Sequence, residues 1–577
     1  MITNFLMKYI IVGGVAGGAT VAARLRREDE SAEIVLFERG EFISYANCGL
    51  PYYIGNTITS RNQLFVQTVE GFTSRYEIDI RVNSEVESID AVSKSVNVFN
   101  QITGKKYTEK YDKLILSPGA EPIRPPIEGI NHPDIFTLRN VPDTDKIKEI
   151  ITRKNVKKAI IVGGGFIGLE MAENFRHLGI DVDLVEMANQ VMATLDYSMA
   201  SIVHLELAAK GVRLHLNDSV VSFGGDSSRV NVTLKSGKEL SAEIVILSIG
   251  VRPETRLAKE AGLEIGITGG IKVNEYLQTS NPDIYALGDA VEVVNIVTRK
   301  PVLIPLAGPA NKMGRIVADN IVYGNVQTYE GSIGTGIAKV FDLTVASTGA
   351  NGKILKREGI EYLSSFTHSA SHAGYYPNAL PLSVKILFSP YDGRLFGAQV
   401  VGFEGVDKRI EMLAQAVRKS GTIYDLMEIE HAYAPPYSSA KDPVNMAGFV
   451  ADNIIKGRVK ILHWEEVEKL VPGNDFLLDV RTNEEYKFAH IPGAVNIPVD
   501  EIRLRLDEVP AGKRIVVYCA VGLRGYIASR ILSQNGYNNV FNLSGGFKTY
   551  SAAACLTVAN QIFGIRVSSG DVSDLEK

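Results

Sequence analysis

Cysteine is scarce in this chain, with three residues in 577. That count excludes a disulfide framework and points to a reducing compartment, so a cytoplasmic location is expected. Long hydrophobic runs are lacking too: nothing approaches the roughly 18 consecutive apolar residues of a membrane-spanning helix. Neither sign of charge is in excess, because 61 Lys and Arg face 66 Asp and Glu for a net charge of -5. So balanced a chain gives no electrostatic sign of a nucleic-acid or membrane partner. Residues 1–6 lack the layout of a signal peptide, since Lys8-Tyr9-Ile10-Ile11-Val12 already reads as a strand, and Met1 and Met7 stand as alternative starts. No metal site is expected. What is present is ordinary globular composition, 45% apolar and 22% charged, in a chain too long for one core. Its length suggests roughly three or four domains.

The strand Lys8-Tyr9-Ile10-Ile11-Val12 runs into Gly13-Gly14-Val15-Ala16-Gly17-Gly18 and a helix, and Glu33-Ile34-Val35-Leu36-Phe37-Glu38 forms a second strand ending in an acid. This is a dinucleotide-binding pattern. Glycines let the backbone approach a pyrophosphate at a helix N-terminus, and the acid bonds a ribose hydroxyl. Val15 replaces the middle glycine. The pattern then repeats, with Ala159-Ile160-Ile161-Val162, then Gly163-Gly164-Gly165-Phe166-Ile167-Gly168, a helix, and Asp181-Val182-Asp183-Leu184-Val185-Glu186. Here all three glycines are in register. Glu186, followed by Met187 and Ala188 and not by Arg, favours NADH over NADPH, because a carboxylate repels the 2′-phosphate. Two such units imply two dinucleotides, commonly FAD with a nicotinamide.

Further segments carry a family resemblance. Thr279-Ser280-Asn281-Pro282-Asp283-Ile284-Tyr285-Ala286-Leu287-Gly288-Asp289-Ala290 resembles the stretch by which two-dinucleotide flavoproteins hold FAD. Leu116-Ser117-Pro118-Gly119-Ala120 and Ile249-Gly250-Val251-Arg252-Pro253 look like their paired crossover segments. Up to about residue 452 the chain resembles the pyridine nucleotide–disulfide oxidoreductases. Within them it resembles the single-cysteine branch that includes coenzyme A-disulfide reductase, NADH oxidase and NADH peroxidase. The resemblance implies an α/β fold with two Rossmann-like domains. FAD would be bound by residues 1–122 and 251–330, through Gly13, Val15, Ala16, Gly17, Glu38, Ala120, Gly288 and Asp289. NAD would be bound by residues 123–250, through Gly163, Gly165, Gly168 and Glu186. An α+β dimerisation domain (331–452) and a linker (453–464) would follow, and a homodimer is implied.

Cys48 lies in Ser44-Tyr45-Ala46-Asn47-Cys48-Gly49-Leu50-Pro51-Tyr52-Tyr53. Tyr53 stands where a CxxxxC pair would have its second cysteine, so no internal disulfide partner is available. A lone thiol beside a flavin either holds a mixed disulfide with a small thiol or cycles through sulfenic acid. Family peroxidases place a His in the first glycine turn, where this chain has Ala16. The cysteine segment is more similar to that of coenzyme A-disulfide reductase, which implies coenzyme A binding by Arg27, Ser44, Asn47 and Arg75. His372-Ala373-Gly374-Tyr375-Tyr376-Pro377 and His431-Ala432-Tyr433-Ala434-Pro435-Pro436-Tyr437-Ser438 match segments that cross to the other subunit's active site. Tyr375 and Tyr433 are the expected hydroxyl donors there. Tyr376 and Tyr437 serve equally as interface packing, and His431 as an acid–base group or a packed residue.

From about residue 465 to 577 a second family is evident. Asp475-Phe476-Leu477-Leu478-Asp479-Val480-Arg481, His490-Ile491-Pro492-Gly493-Ala494, the loop Cys519-Ala520-Val521-Gly522-Leu523-Arg524-Gly525 and Leu543-Ser544-Gly545-Gly546-Phe547 together resemble a rhodanese. A cysteine opening a strand-to-helix loop meets converging backbone N–H groups that stabilise a persulfide anion. Arg524 is expected to close the loop on an anionic substrate or on the sulfane sulfur, and Asp479 and Arg481 to brace it by a salt bridge. Phosphatase-like chemistry shares a Cys…Arg loop, but the His490–Ala494 and Leu543–Phe547 segments favour rhodanese. Cys555 is expected in the core. The expected activity is NADH- and FAD-dependent reduction of coenzyme A persulfide, polysulfide and coenzyme A disulfide at Cys48, with Cys519 carrying sulfane sulfur. The alternatives are an NADH oxidase or peroxidase with a regulatory rhodanese, and a non-catalytic redox-sensing sulfur-carrier scaffold.

Overall fold

A computed structural model describes residues 6–562, with side chains as far as Ala554, so Cys555 and residues 1–5 lie outside the described side chains. The chain divides into two compact units.

The first unit holds residues up to 187 and 217–334. Its first parallel sheet runs in the order Ile284–Ala286, Lys113–Leu116, Lys8–Val12, Glu33–Phe37, Asp79–Arg81. The central strands are near-continuous Val, Ile and Leu runs because helices and loops bury both faces, as a parallel sheet requires. A second parallel sheet places Asp181–Glu186, Lys158–Val162, Ile244–Leu247 and Ile135–Phe136 side by side. Each has a helix entering directly from its glycine turn, Ala16–Glu28 in one and Phe166–His177 in the other. Ala120–Pro122 and Val251–Pro253 pair antiparallel, which joins the two crossover segments.

The second unit comprises residues 188–216 and those from 335 onward. An antiparallel five-stranded sheet, ordered Gly336–Val340, Leu343–Gly349, Leu395–Gly402, Pro381–Phe388, Leu363–Ala370, packs against the helices Val406–Arg418 and Pro443–Ile455. A second sheet is wholly parallel, in the order Lys460–Leu462, Val540–Leu543, Arg514–Tyr518, Asp475–Asp479, Val495–Asn496. Its edge strand Lys460–Leu462 falls within the stretch expected as linker.

The two sheets of this unit are joined by specific bonds. On the strand Leu363–Ala370, the Phe366 N–H donates to Ser544 Oγ at 3.3 Å. The half-buried His368 ring places one nitrogen 2.8 Å from Ser383 Oγ and the other 2.8 Å from Thr549 Oγ1. Between these anchors run Gly545 and Gly546, both at positive φ. A Cβ on Gly545 would stand 2.1 Å from Thr549 Oγ1, and one on Gly546 would stand 2.4 Å from the Cys519 carbonyl. The backbone N–H groups of Phe547 and Lys548 donate to the carbonyls of Cys519 and Ala520 at 2.8 and 3.0 Å. The Ser544-Gly545-Gly546-Phe547 turn therefore grips the cysteine loop on one side and the antiparallel sheet on the other. No helix among the described residues is long and apolar enough to cross a membrane.

Candidate active site

The two glycine turns are built alike. Gly13 and Gly163 sit at φ +99 and +107, with the carbonyls of Ser117 and Ser248 only 2.1 and 2.3 Å from where a Cβ would be. Gly18 and Gly168 each let the new helix close on the first glycine, whose carbonyl lies 1.8 and 2.0 Å from a would-be Cβ. Gly18 is therefore the partner of Gly168, although the sequence reading singled out Gly17. Gly17 is needed for a different reason, because a Cβ there would stand 2.6 Å from the Leu287 side chain. Gly165 is exposed and meets nothing within 4 Å, so its place at the helix N-terminus is open to a ligand. The strand-end acids repeat one another as well. Glu38 accepts the Gly14 N–H at 2.9 Å, and Glu186 accepts the Gly164 N–H at 2.7 Å. Asp289, in the turn Gly288–Ala290, is raised by burial. Two helix N-termini, each beside a fixed carboxylate, fit two dinucleotides, and Asp289 at the first fits a flavin's polyol.

Cys48 sits in the short turn Asn47–Gly49, which leads directly into the helix Leu50–Ile54 with Pro51 in its first turn. The turn is tied to the first glycine loop through Ser44, whose N–H donates to the Gly14 carbonyl at 2.9 Å. The Ser44 carbonyl in turn accepts from the N–H groups of Val66 and Gln67. These bonds hold a serine at φ 45, a conformation that needs such over-determination. Cys48 and Asn47 are exposed. Partial burial pushes the Cys48 thiol up, and the carboxylates of Glu170 and Asp289 add to it. Glu170 is itself pushed up to about 7 by burial and by Glu173, with the Tyr52 hydroxyl against it. A carboxyl poised near neutrality beside a thiol can hold or release a proton there. Sequence reasoning missed Glu170, and its only local signal is its position two residues past Gly168.

Arg27 and Arg75 are exposed. Buried Arg26 donates to the carbonyls of Tyr76 and Glu77 at 2.8 and 2.9 Å, so the last turn of Ala16–Glu28 abuts the end of Val69–Tyr76. Two solvent-facing arginines thus occupy adjoining helix ends, an arrangement suited to phosphates.

In the second unit, Tyr375 and Tyr433 are exposed and their hydroxyls lie 2.7 Å apart, sharing one hydrogen bond. The two loops that carry them are knit together. The Ala373 N–H donates to the carbonyls of Pro435 and Ser438, and buried Arg409 bridges the Ser371 carbonyl, Ser438 Oγ and Asp442. His372 bonds the Ser371 hydroxyl and the Pro377 carbonyl, which is a packing role. His431 is held below its ordinary value by burial, 3.9 Å from Asp442, and neither of its ring nitrogens has a hydrogen-bond partner among the described residues.

Cys519 is buried at the end of the strand Arg514–Tyr518, and the Gly522 N–H donates to its Sγ at 3.1 Å. Gly522 takes φ +110 and starts the helix Leu523–Gln534. Arg481 and Asp479 form the expected brace at 2.6 Å, with Arg481 also donating to the Ala489 carbonyl and lying 4.3 Å over the Phe547 ring. Arg524 faces the Cys519 sulfur and is paired with a carboxylate as well. Its two terminal nitrogens engage both oxygens of Glu485 at 2.7 Å each, so a carboxylate offsets the guanidinium charge.

Residues 7–314 match the family model described as pyridine nucleotide-disulphide oxidoreductase. The chain belongs to this family. Residues 336–443 of the oxidoreductase match the family's dimerisation domain, and residues 463–553 match a rhodanese-like domain. It is 37% identical over 449 residues to a coenzyme A disulfide reductase of Staphylococcus haemolyticus (strain JCSC1435), covering 78% of this chain and 100% of that one. Its structure is similar to that of reduced Bacillus anthracis CoADR-RHD, with 52% identity, a TM-score of 0.93, and coverage of 95% and 98% of the two chains. It is also similar to an NAD-dependent persulfide reductase from A. fulgidus, with 38% identity, a TM-score of 0.89, and coverage of 94% and 100%. Membership makes the protein an oxidoreductase that works with FAD and a pyridine nucleotide.

Proposed function

We propose that the oxidoreductase reduces sulfane sulfur with NADH, taking coenzyme A persulfide, polysulfide and coenzyme A disulfide at Cys48, while Cys519 accepts and delivers sulfane sulfur. The observation that carries this reading is a second thiol, Cys519, seated against the Gly522 N–H in a strand-to-helix loop of the same chain as the lone Cys48. A loop built to hold a sulfur anion adds little to plain disulfide reduction and much to persulfide chemistry. The relatives named coenzyme A disulfide reductase and persulfide reductase support the two substrate classes.

In this reading the Cys48 thiolate attacks the inner, R-bound sulfur of R–S–SH, breaks the S–S bond, releases hydrosulfide and leaves a mixed disulfide with the carrier thiol. Bound FAD supplies the two electrons, drawn from NADH, that return both sulfurs to thiols. The overall balance is NADH + H⁺ + R–S–SH giving NAD⁺ + R–SH + H₂S. Glu170 is placed to exchange a proton at Cys48. Arg27 and Arg75 hold the carrier's phosphates, and Ser44 and Asn47 hold its arm beside the thiol. The Glu186 carboxylate, fixed on the Gly164 N–H, faces the adenosine ribose and disfavours a 2′-phosphate, which supports NADH. The working form is a cytoplasmic homodimer in which Tyr375 and Tyr433 serve the other subunit's Cys48.

Cys519→Ser tests the division of labour. Turnover of persulfide and polysulfide should fall at least about tenfold, while turnover of coenzyme A disulfide stays within about twofold. Equal loss on all acceptors would sink the sulfur-delivery role. NADH consumption with oxygen or peroxide that rivals the sulfur acceptors would replace the whole reading with an oxidase.

A further inference from the structure

We propose that Glu485 masks Arg524 and thereby sets the donor class of the Cys519 loop, against small dianionic donors of the thiosulfate class and in favour of persulfides on a longer, uncharged arm. The proposal deepens, and rests on, the reading of Cys519 as the sulfur-accepting thiol.

The guanidinium fork is the one group in the loop shaped to clamp an oxyanion through two parallel hydrogen bonds. Both of its terminal nitrogens donate to Glu485, at 2.7 Å each, so a carboxylate offsets the positive charge that the guanidinium presents to the Cys519 sulfur. Arg481 is equally committed, to Asp479 and to the Ala489 carbonyl. Near the sulfur stand the Gly522 N–H at 3.1 Å, the start of the helix Leu523–Gln534 and a guanidinium whose charge Glu485 offsets, which suffice for a single sulfur anion. The surroundings point the same way. Leu523 and Ile527, one turn apart on that helix, are exposed, as is Phe488 at the end of the helix that bears Glu485. Exposed apolar side chains on the two helices that carry Arg524 and Glu485 favour a methylene-rich arm over a strongly hydrated dianion.

The step is a thiolate exchange without external redox. The Cys519 thiolate attacks the outer sulfur of R–S–SH, a new S–S bond forms as the old one breaks, and R–S⁻ leaves. With thiosulfate the same thiolate must approach two negative charges and release sulfite, which calls for a free cation at the loop.

Glu485 can be neutralised without unfolding its helix. Its carboxylate also accepts the Thr482 N–H at 2.9 Å in a capping box, a task that glutamine performs equally. The experiment uses the full-length holoenzyme without NADH and follows persulfidation of the Cys519 peptide by mass spectrometry, with thiosulfate or N-acetylcysteamine persulfide as donor. The wild type should load from the persulfide at least about tenfold faster. Glu485→Gln should narrow that gap by about tenfold, chiefly through a lower half-saturating thiosulfate concentration, and adding Arg524→Gln should abolish the gain. An unchanged thiosulfate half-saturation in Glu485→Gln, or wild-type loading as fast from thiosulfate as from the persulfide, would overturn the mask alone. Loading from neither donor would overturn the sulfur-acceptor reading of Cys519 itself.

Discussion

Val15 and Gly165 occupy the same place in two copies of one turn, and the second copy explains why the first can differ. A Cβ at Gly165 meets nothing within 4 Å, so the protein's own packing does not demand glycine there. The sequence departure at Val15 therefore leaves the turn intact. Tyr375 and Tyr433 were legible as candidates through their motifs, but their pairing was not, because they lie 58 residues apart and meet only through the knitted loops. Since they share one hydrogen bond, they should act as a unit. Tyr375→Phe and Tyr433→Phe are each expected to lower kcat by about tenfold, with the double variant little worse than either single one. Multiplicative losses in steady-state kinetics would show that the two hydroxyls act separately. Glu485 escaped sequence reading for the same reason as the tyrosine pairing. Cys519 and Arg524 share a loop, whereas the carboxylate that fills the arginine fork lies 39 residues away.

At the scale of elements, the two strand–turn–helix units were the most legible part of the chain, because their logic is local. The structure adds which glycines serve the fold and which serve a ligand. Gly18→Ala drives a Cβ into the Gly13 carbonyl and should cost roughly 1–3 kcal/mol, seen as a lower Tm and a reduced flavin-to-protein absorbance ratio. Gly165→Ala should leave Tm unchanged and raise the KM for the pyridine nucleotide. Reversed outcomes would undo that assignment. The Leu543-Ser544-Gly545-Gly546-Phe547 segment was readable only as a family mark. Its physical purpose emerges from contacts with a strand of the other sheet, Leu363–Ala370, that no local pattern announces.

Over the whole molecule, the second unit packs three histidines whose rings are withdrawn from water, one of them fully buried. Burial holds His368 down to about 3, and His204 and His463 down to about 4. Below the ordinary value near 6.5 the unfolded chain takes up protons that the folded chain refuses. Stability is therefore complete above that pH and is lost as pH falls towards 4, by up to about 1.4 kcal/mol per pH unit for each ring. Thermal unfolding of the wild type should weaken steadily between pH 6.5 and 5, and His368→Gln should shed about one proton's worth of that slope. An identical slope in the variant would refute the argument for His368.

The bonds from Phe366 and His368 to Ser544 and Thr549 have one more consequence. The turn that receives them also fixes the carbonyls of Cys519 and Ala520, so the sulfur-bearing loop is moored to the antiparallel sheet. A moored thiol has no reach of its own. If Cys519 hands on sulfur as proposed, the collecting molecule must come to the loop, and the length and suppleness of that visitor become the quantities on which delivery turns.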